Sequence, residues 1–309
     1  MVLVFLLTFL YGTVFVIGKY ALEVSPPFFL TAVRMFMGGI LSLGIFFVVE
    51  RKSLSQIFKL PLYIWKQVFI LSIINIYIPN AYEFWGLQYL SAGKAAFIYN
   101  LTPFFSAGIS YLVLKEHMTI KKFIGFFIAC AGLIPLLIKA PEIADTTFKI
   151  GFISGAELAL VLASFCTAFG FVLMRVMAKE EVISPYLFNG VSMMLGGIFS
   201  FIHAGFVETT PYVLPENYMR FAVLAFFTSF ILNVVCFNLC AFLLRRYTAT
   251  FILFASFMAP LWAAILGYFF LHEKVTSIFI IASALVFVGL AVFYQEEFKQ
   301  GYVVRQHKK

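Results

Sequence analysis

Long apolar runs separated by short polar breaks make up almost the whole chain. Runs near residues 2–21, 28–49, 67–89, 92–114, 121–138, 151–177, 185–206, 219–244, 248–270 and 277–295 predict ten helices. Each is close to the roughly 20 apolar residues that a bilayer-spanning helix needs, whereas membrane barrels carry short alternating segments. The break from Gln88 to Gly93 is so short that its two neighbours must form a tight antiparallel hairpin. The longest breaks are Glu50 to Lys66 and Lys139 to Ile150, and the second, with Pro141 and a Thr pair, divides the chain.

The pattern occurs twice. The stretch Lys94 to Thr119 is matched by Phe251 to Thr276, pairing Ala92 with Ala249, Pro103 with Pro260, Tyr111 with Tyr268, Glu116 with Glu273 and Thr119 with Thr276. With a spacing one residue longer, Gly38 and Gly39 pair with Gly196 and Gly197, Asn75 with Asn233, and Asn80 with Asn238. One unit used twice gives five spans per half, and an odd number forces the second half to enter the membrane the other way up. The expected fold is therefore an all-α membrane protein, ten transmembrane helices as two five-helix inverted-topology repeats, a recurrent design of secondary transporters. Residues 1–139 form the first repeat, 140–150 the linker, 151–295 the second repeat and 296–309 a cytoplasmic tail.

Composition agrees: 63% hydrophobic residues, 12% charged residues and a mean hydropathy of +1.00 exclude a water-soluble globule. The net charge of +8 does not indicate nucleic acid, because Lys and Arg lie in short clusters between apolar runs and in the tail. Arg51, Lys52, Lys59, Lys66, Lys115, Lys121, Lys122, Lys179, Arg245 and Arg246 fall on one side, against Lys94, Lys139, Lys149, Arg220 and Lys274 on the other. The positive-inside bias then puts both termini in the cytoplasm. Cys130, Cys166, Cys236 and Cys240 all fall in apolar segments and read as packing residues. The N-terminal run lacks a basic leader region and reads as the first span. His117, His203, His272 and His307 are scattered, and no hydrolase, Walker or metal-ligand signature is present. The expectation is no enzyme, cofactor or metal site, with coupling from a proton gradient or a counter-substrate. The alternative is a membrane-embedded enzyme or receptor that uses the repeat as scaffold.

Candidate residues are the polar groups inside spans. Asn75, Asn80, Asn233 and Asn238 either face a central cavity and bond substrate or bond helix to helix. Glu83 breaks the repeat, because its counterpart is Ala241. An intramembrane acid is a functional candidate, here for a substrate amine or a coupling proton, or it reaches interfacial water. Glu157 is the other such acid, and Lys19, Arg34 or Lys94 could pair with it. Arg34 sits too deep in its span to reach water easily. Tyr99, Asn100 and Thr102 precede Pro103, and Ser256 precedes Pro260; each proline frees a carbonyl one turn earlier and permits a kink that could gate a path or merely pack. Tyr77 and Trp262 could line a binding wall or belong to the interfacial aromatic belt. Glu116 and Glu273 are expected as helix-end anchors rather than cargo ligands.

The FLYGTVFVIGKYAL and SPPFFLTAVRMFMGG segments and the paired Pro-x12-Glu-x2-Thr ends resemble the drug/metabolite transporter superfamily, EamA-like branch, over nearly the whole chain. Tyr11-Gly12 stands where that branch often has Trp-Gly. The Phe- and Ile-rich ten-span form is also similar to its S-adenosylmethionine transporter subgroup. The resemblance implies alternating access between the halves for a small polar or zwitterionic metabolite, an amino acid or a derivative of one, in a bacterial inner membrane. Such a cargo would suit an aromatic cavity with Glu83 or Glu157 facing cationic groups.

Overall fold

The computed structural model describes residues 2–50, 61–114, 119–138, 149–150, 153–178, 185–244, 252 and 255–295. Helices fill nearly all of them: α1 (Val2–Leu22), α2 (Pro27–Glu50), α3 (Leu62–Leu71), α4 (Ile78–Leu87), α5 (Ala92–Tyr99), α6 (Thr102–Leu114) and α7 (Ile120–Ile138). After a short antiparallel pair, β1 (Lys149–Ile150) and β2 (Ile153–Ser154), follow α8 (Gly155–Ala178), α9 (Pro185–Val207), α10 (Tyr218–Ser229), α11 (Phe237–Leu244), α12 (Ala259–Leu271) and α13 (Ser277–Phe293). Seven helical stretches among the described residues are long and apolar enough to cross a membrane, and α12 and α13 are shorter apolar helices. The chain is an all-α, multi-pass membrane protein.

Two boundaries differ from expectation for local reasons. The third helical stretch begins at Leu62 because the Pro61 carbonyl accepts from Ile64 and Trp65, so Lys66 lies in the first turns on an exposed face. The sixth begins at Gly155, after β2, because Ser154 and Glu157 form a capping box. The tail 296–309, Glu116 and most of the 140–150 linker lie outside the described residues.

Local irregularities recur at matched positions. α3 passes into α4 through a π-helical stretch, Ser72–Tyr77, and α10 passes into α11 through another, Phe230–Cys236. These wide turns carry Asn75 and Asn233; π-turns within α-helices are frequent at functional sites. The expected proline kinks are interruptions instead. α5 stops at Tyr99 and α6 starts at Thr102, while Phe257 and Met258 form a turn before α12. Each proline then sits in the first turn of the following helix, where its missing N–H costs no hydrogen bond. The Thr102 hydroxyl donates to the Tyr99 carbonyl at 2.7 Å, satisfying the group that the break exposes.

Small residues set the closest helix contacts. A Cβ at Gly39 would meet the Gly190 carbonyl and Met194, and one at Gly197 would meet the Ala32 carbonyl and Phe36. These are the same contacts exchanged between sequence-matched positions. Gly289 against Gly125 and Ala129 is likewise matched by Gly132 against Ala282 and Val286. α2 thus packs on α9, and α7 on α13, with backbones close enough for dispersion to act where the hydrophobic effect does not.

Candidate functional site

Polar side chains from several helices meet beneath the shared end of α1, α4 and α5. Arg34, about two turns into α2, is 1% exposed. Its guanidinium carbon lies 4.0 Å from the centroid of the Phe84 ring, a cation–π arrangement. Ser229 on α10 donates its hydroxyl to the Arg34 carbonyl at 2.9 Å. The Nε and Nη1 atoms of Arg34 are buried without a hydrogen-bond acceptor among the described residues. Glu83 on α4, one residue before Phe84, is 9% exposed and within Coulombic reach of Arg34. Among the described residues no ion pair joins them. Leaving donors unmet in this way forfeits the compensation that buried polar groups normally find.

Tyr99 closes α5 beside this pair. Its hydroxyl bonds Thr167 Oγ1 on α8 at 2.9 Å, and its ring meets Phe15 edge-on at 6.4 Å. Thr102 and Ser164 are 3.3 Å apart, so a line of hydroxyls joins the α5–α6 break to α8. Asn100 lies in the break and caps α5 through its backbone N–H.

The asparagines divide. A Cβ at Gly170 would fall 2.2 Å from Asn75 Oδ1, and one at Gly38 would fall 2.3 Å from Asn233 Nδ2. Each amide therefore occupies room that only a glycine on the facing helix leaves. Asn233 Nδ2 is buried without an acceptor among the described residues. The Asn80 amide donates to the Ile76 carbonyl of its own helix at 2.8 Å, beside the π-stretch. The Asn238 side chain lies outside the described residues.

Other candidates are engaged in holding helices. Glu157, 0% exposed, accepts from the Ser154 N–H at 2.7 Å and meets Lys94 Nζ at 2.5 Å, which selects one partner from the three considered. The Ser-x-x-Glu spacing of a capping box was the signal for this role in the sequence. Tyr77 bonds His203 Nδ1 at 2.7 Å, and the Trp262 indole N–H donates to Thr8 Oγ1 at 3.2 Å, locking α12 to α1. Pro103 and Pro260 are buried.

Sequence reasoning missed two helix-end ties. Glu273, with Lys19 at 2.8 Å, also accepts from the Ala92 N–H through both oxygens, so it caps α5 and joins α1 to the turn after α12. Its position in the repeat indicated an anchor but not these partners. Glu208, just past α9, accepts from the Phe28 and Phe29 N–H groups at 2.7 and 3.0 Å and so caps α2. Glu23 and Arg220 pair nearby. No group of three or more potential metal ligands occurs among the described residues.

The family model for the EamA-like transporter family matches residues 1–138 and again 154–295. The chain is 32% identical over 305 residues to the S-adenosylmethionine/S-adenosylhomocysteine transporter of Chlamydia trachomatis serovar L2, covering 98% of this chain and 91% of that protein. A transporter of the same name from Chlamydia muridarum is 32% identical over 309 residues, covering 98% and 93%. A crystal structure with 17% identity superposes with a TM-score of 0.63 over 97% of each chain, a likeness of fold. Transporters rather than enzymes are its kin, and the chain belongs to the EamA-like transporter family.

Proposed function

We propose that this protein is a secondary transporter or exchanger of S-adenosylmethionine and S-adenosylhomocysteine in a bacterial inner membrane, working by alternating access. The observation that carries the cargo is the 32% identity spanning 98% of the chain to transporters of that name. The ten helical segments are read as two five-helix inverted repeats, residues 1–139 and 151–295, with both termini cytoplasmic. The exchanged glycine contacts and the paired π-stretches and helix breaks support that reading.

Rocking of one half against the other needs joints, and the breaks before Pro103 and Pro260 are suited to be them. The path runs past Asn75, Asn80, Glu83, Tyr99, Asn100, Asn233 and Asn238. Tyr77, Glu157 and Trp262, each already bonded, are assigned to holding helices together. S-adenosylmethionine brings a sulfonium cation, an adenine ring and an amino-acid head. Aromatic rings attract the sulfonium cation and stack on adenine, and the Glu83 carboxylate faces a cationic group of the cargo. Coupling comes from a proton or from the outgoing counter-substrate.

A thermal-shift screen of the purified protein tests this, because a ligand that binds only the folded state raises apparent stability, by about 2.7 kcal/mol at a hundred times its Kd. Both adenosyl compounds are expected to shift the transition. A shift with unrelated metabolites and none with these two would overturn the assignment.

A further inference from the structure

We propose that Arg34 and Glu83 form the receptor for an α-amino-acid head, Arg34 taking the carboxylate and Glu83 the ammonium group. This deepens the transport reading above and rests on it.

Two other acids within the bundle have partners: Glu157 has Lys94 and Ser154, and Glu273 has Lys19 and Ala92. Arg34 and Glu83 are also buried and are held within Coulombic reach without an ion pair between them among the described residues. Arg34 offers donors only and an ionised Glu83 offers acceptors only, so neither can satisfy itself. The stacking of Arg34 on Phe84 and the Ser229 bond to its backbone fix where its unmet Nε and Nη1 stand. One turn along α2, Gly38 leaves room for Asn233, whose Nδ2 is a third buried donor without an acceptor. Tyr99 lies within electrostatic reach of both charges.

Two unmet guanidinium donors within Coulombic reach of a carboxylate that makes no ion pair among the described residues make a site divided by sign. A guanidinium matches the planar, two-oxygen shape of a carboxylate. An amino-acid head carries its carboxylate and ammonium on one carbon, so a single ligand completes both sides. A simple cation or a neutral nucleoside completes at most one.

The test is competition against labelled S-adenosylmethionine uptake in proteoliposomes. Competitors are S-adenosylhomocysteine, its deaminated analogue, decarboxylated S-adenosylmethionine and 5′-methylthioadenosine, which lacks the head. With the unaltered protein, removing either charged group is expected to weaken competition at least tenfold. In Arg34→Gln the decarboxylated compound should compete as well as the intact one, and in Glu83→Gln the deaminated one should. Arg34→Lys keeps the charge and should retain part of the discrimination. Equal competition by all four compounds in the unaltered protein would overturn the head-group site while leaving transport standing, and it needs no variant to fold. Absence of any S-adenosylmethionine uptake would instead overturn the transport reading, and the head-group site with it.

Discussion

At the helix ends Glu157 meets Lys94 at 2.5 Å and Glu273 meets Lys19 at 2.8 Å, whereas Arg34, two turns inside α2, leaves two guanidinium nitrogens without an acceptor. All are ionisable groups within an apolar bundle, where an uncompensated charge is costly. The paired groups join elements distant in sequence and complete helix termini, so the chain itself supplies their compensation. Among the described residues Arg34 receives an aromatic face, a bond to its backbone carbonyl and the Coulombic influence of Glu83, with no ion pair. Charges closed by the chain belong to architecture, and charges left open by it are, on the reading proposed above, those that meet the cargo.

The largest test of this contrast is Lys94→Met, which strands the fully buried Glu157. Breaking one side of a buried pair costs about 3–5 kcal/mol, and replacing both sides with apolar residues recovers much of it. Thermal unfolding in detergent should show a large loss for Lys94→Met and a smaller one for the Lys94→Met/Glu157→Met double variant. A single variant as stable as the parent would remove the pair from the architecture.

Next come the glycines beneath the asparagines. Gly170→Ala and Gly38→Ala each force a methyl group to within 2.2 or 2.3 Å of an amide, and overpacking of this kind costs about 1–3 kcal/mol. Gly44, with nothing within 4 Å of its Cβ position, is the control. Gly44→Ala should leave the unfolding temperature level or raise it slightly, since Ala favours a helix interior by about 1 kcal/mol over Gly. Equal behaviour of all three variants would dissolve the claim that the asparagines are tightly seated.

Removing the Glu273 cap should cost less, about 1 kcal/mol, the usual scale for a lost N-terminal cap. Glu273→Ala frees Lys19 and the Ala92 N–H together. A loss as large as that of Lys94→Met would show that this tie, too, belongs to the deeply buried class.

The smallest effect concerns pH. Burial raises the Glu208 carboxyl above its ordinary value, and the N–H groups of Phe28 and Phe29 hold the rise back. The folded state therefore binds the proton more readily than the unfolded one, which makes stability fall as pH rises. The contribution is complete below the ordinary carboxylate range and is lost as pH passes through the raised folded value. Glu208→Gln should flatten that slope; an unchanged slope would trace it to another group.

Much of this fold could be read from residue order because membrane helices announce themselves by length and hydropathy. The pairing of Asn75 with Asn233 was visible as spacing, but the π-helical turns under them were not, since apolar residues such as Ile73 and Ile231 suit either helix type. Pro103 and Pro260 marked the helix breaks to within a few residues. Partner choice was the illegible part: Lys19, Arg34 and Lys94 are equivalent cations in sequence, and only the packing of α5 on α8 brings Lys94 to Glu157. Arg34 was conspicuous by depth alone. Its proximity to Glu83 depends on how α2 and α4 face each other, which spacing within either helix does not encode.

Transport itself is tested most directly by uptake of labelled S-adenosylmethionine into proteoliposomes holding the purified, unaltered protein. Saturable uptake is expected, inhibited by external S-adenosylhomocysteine and accelerated when the vesicles are loaded with it. Uptake no greater than in protein-free vesicles, with or without internal S-adenosylhomocysteine, would contradict the account.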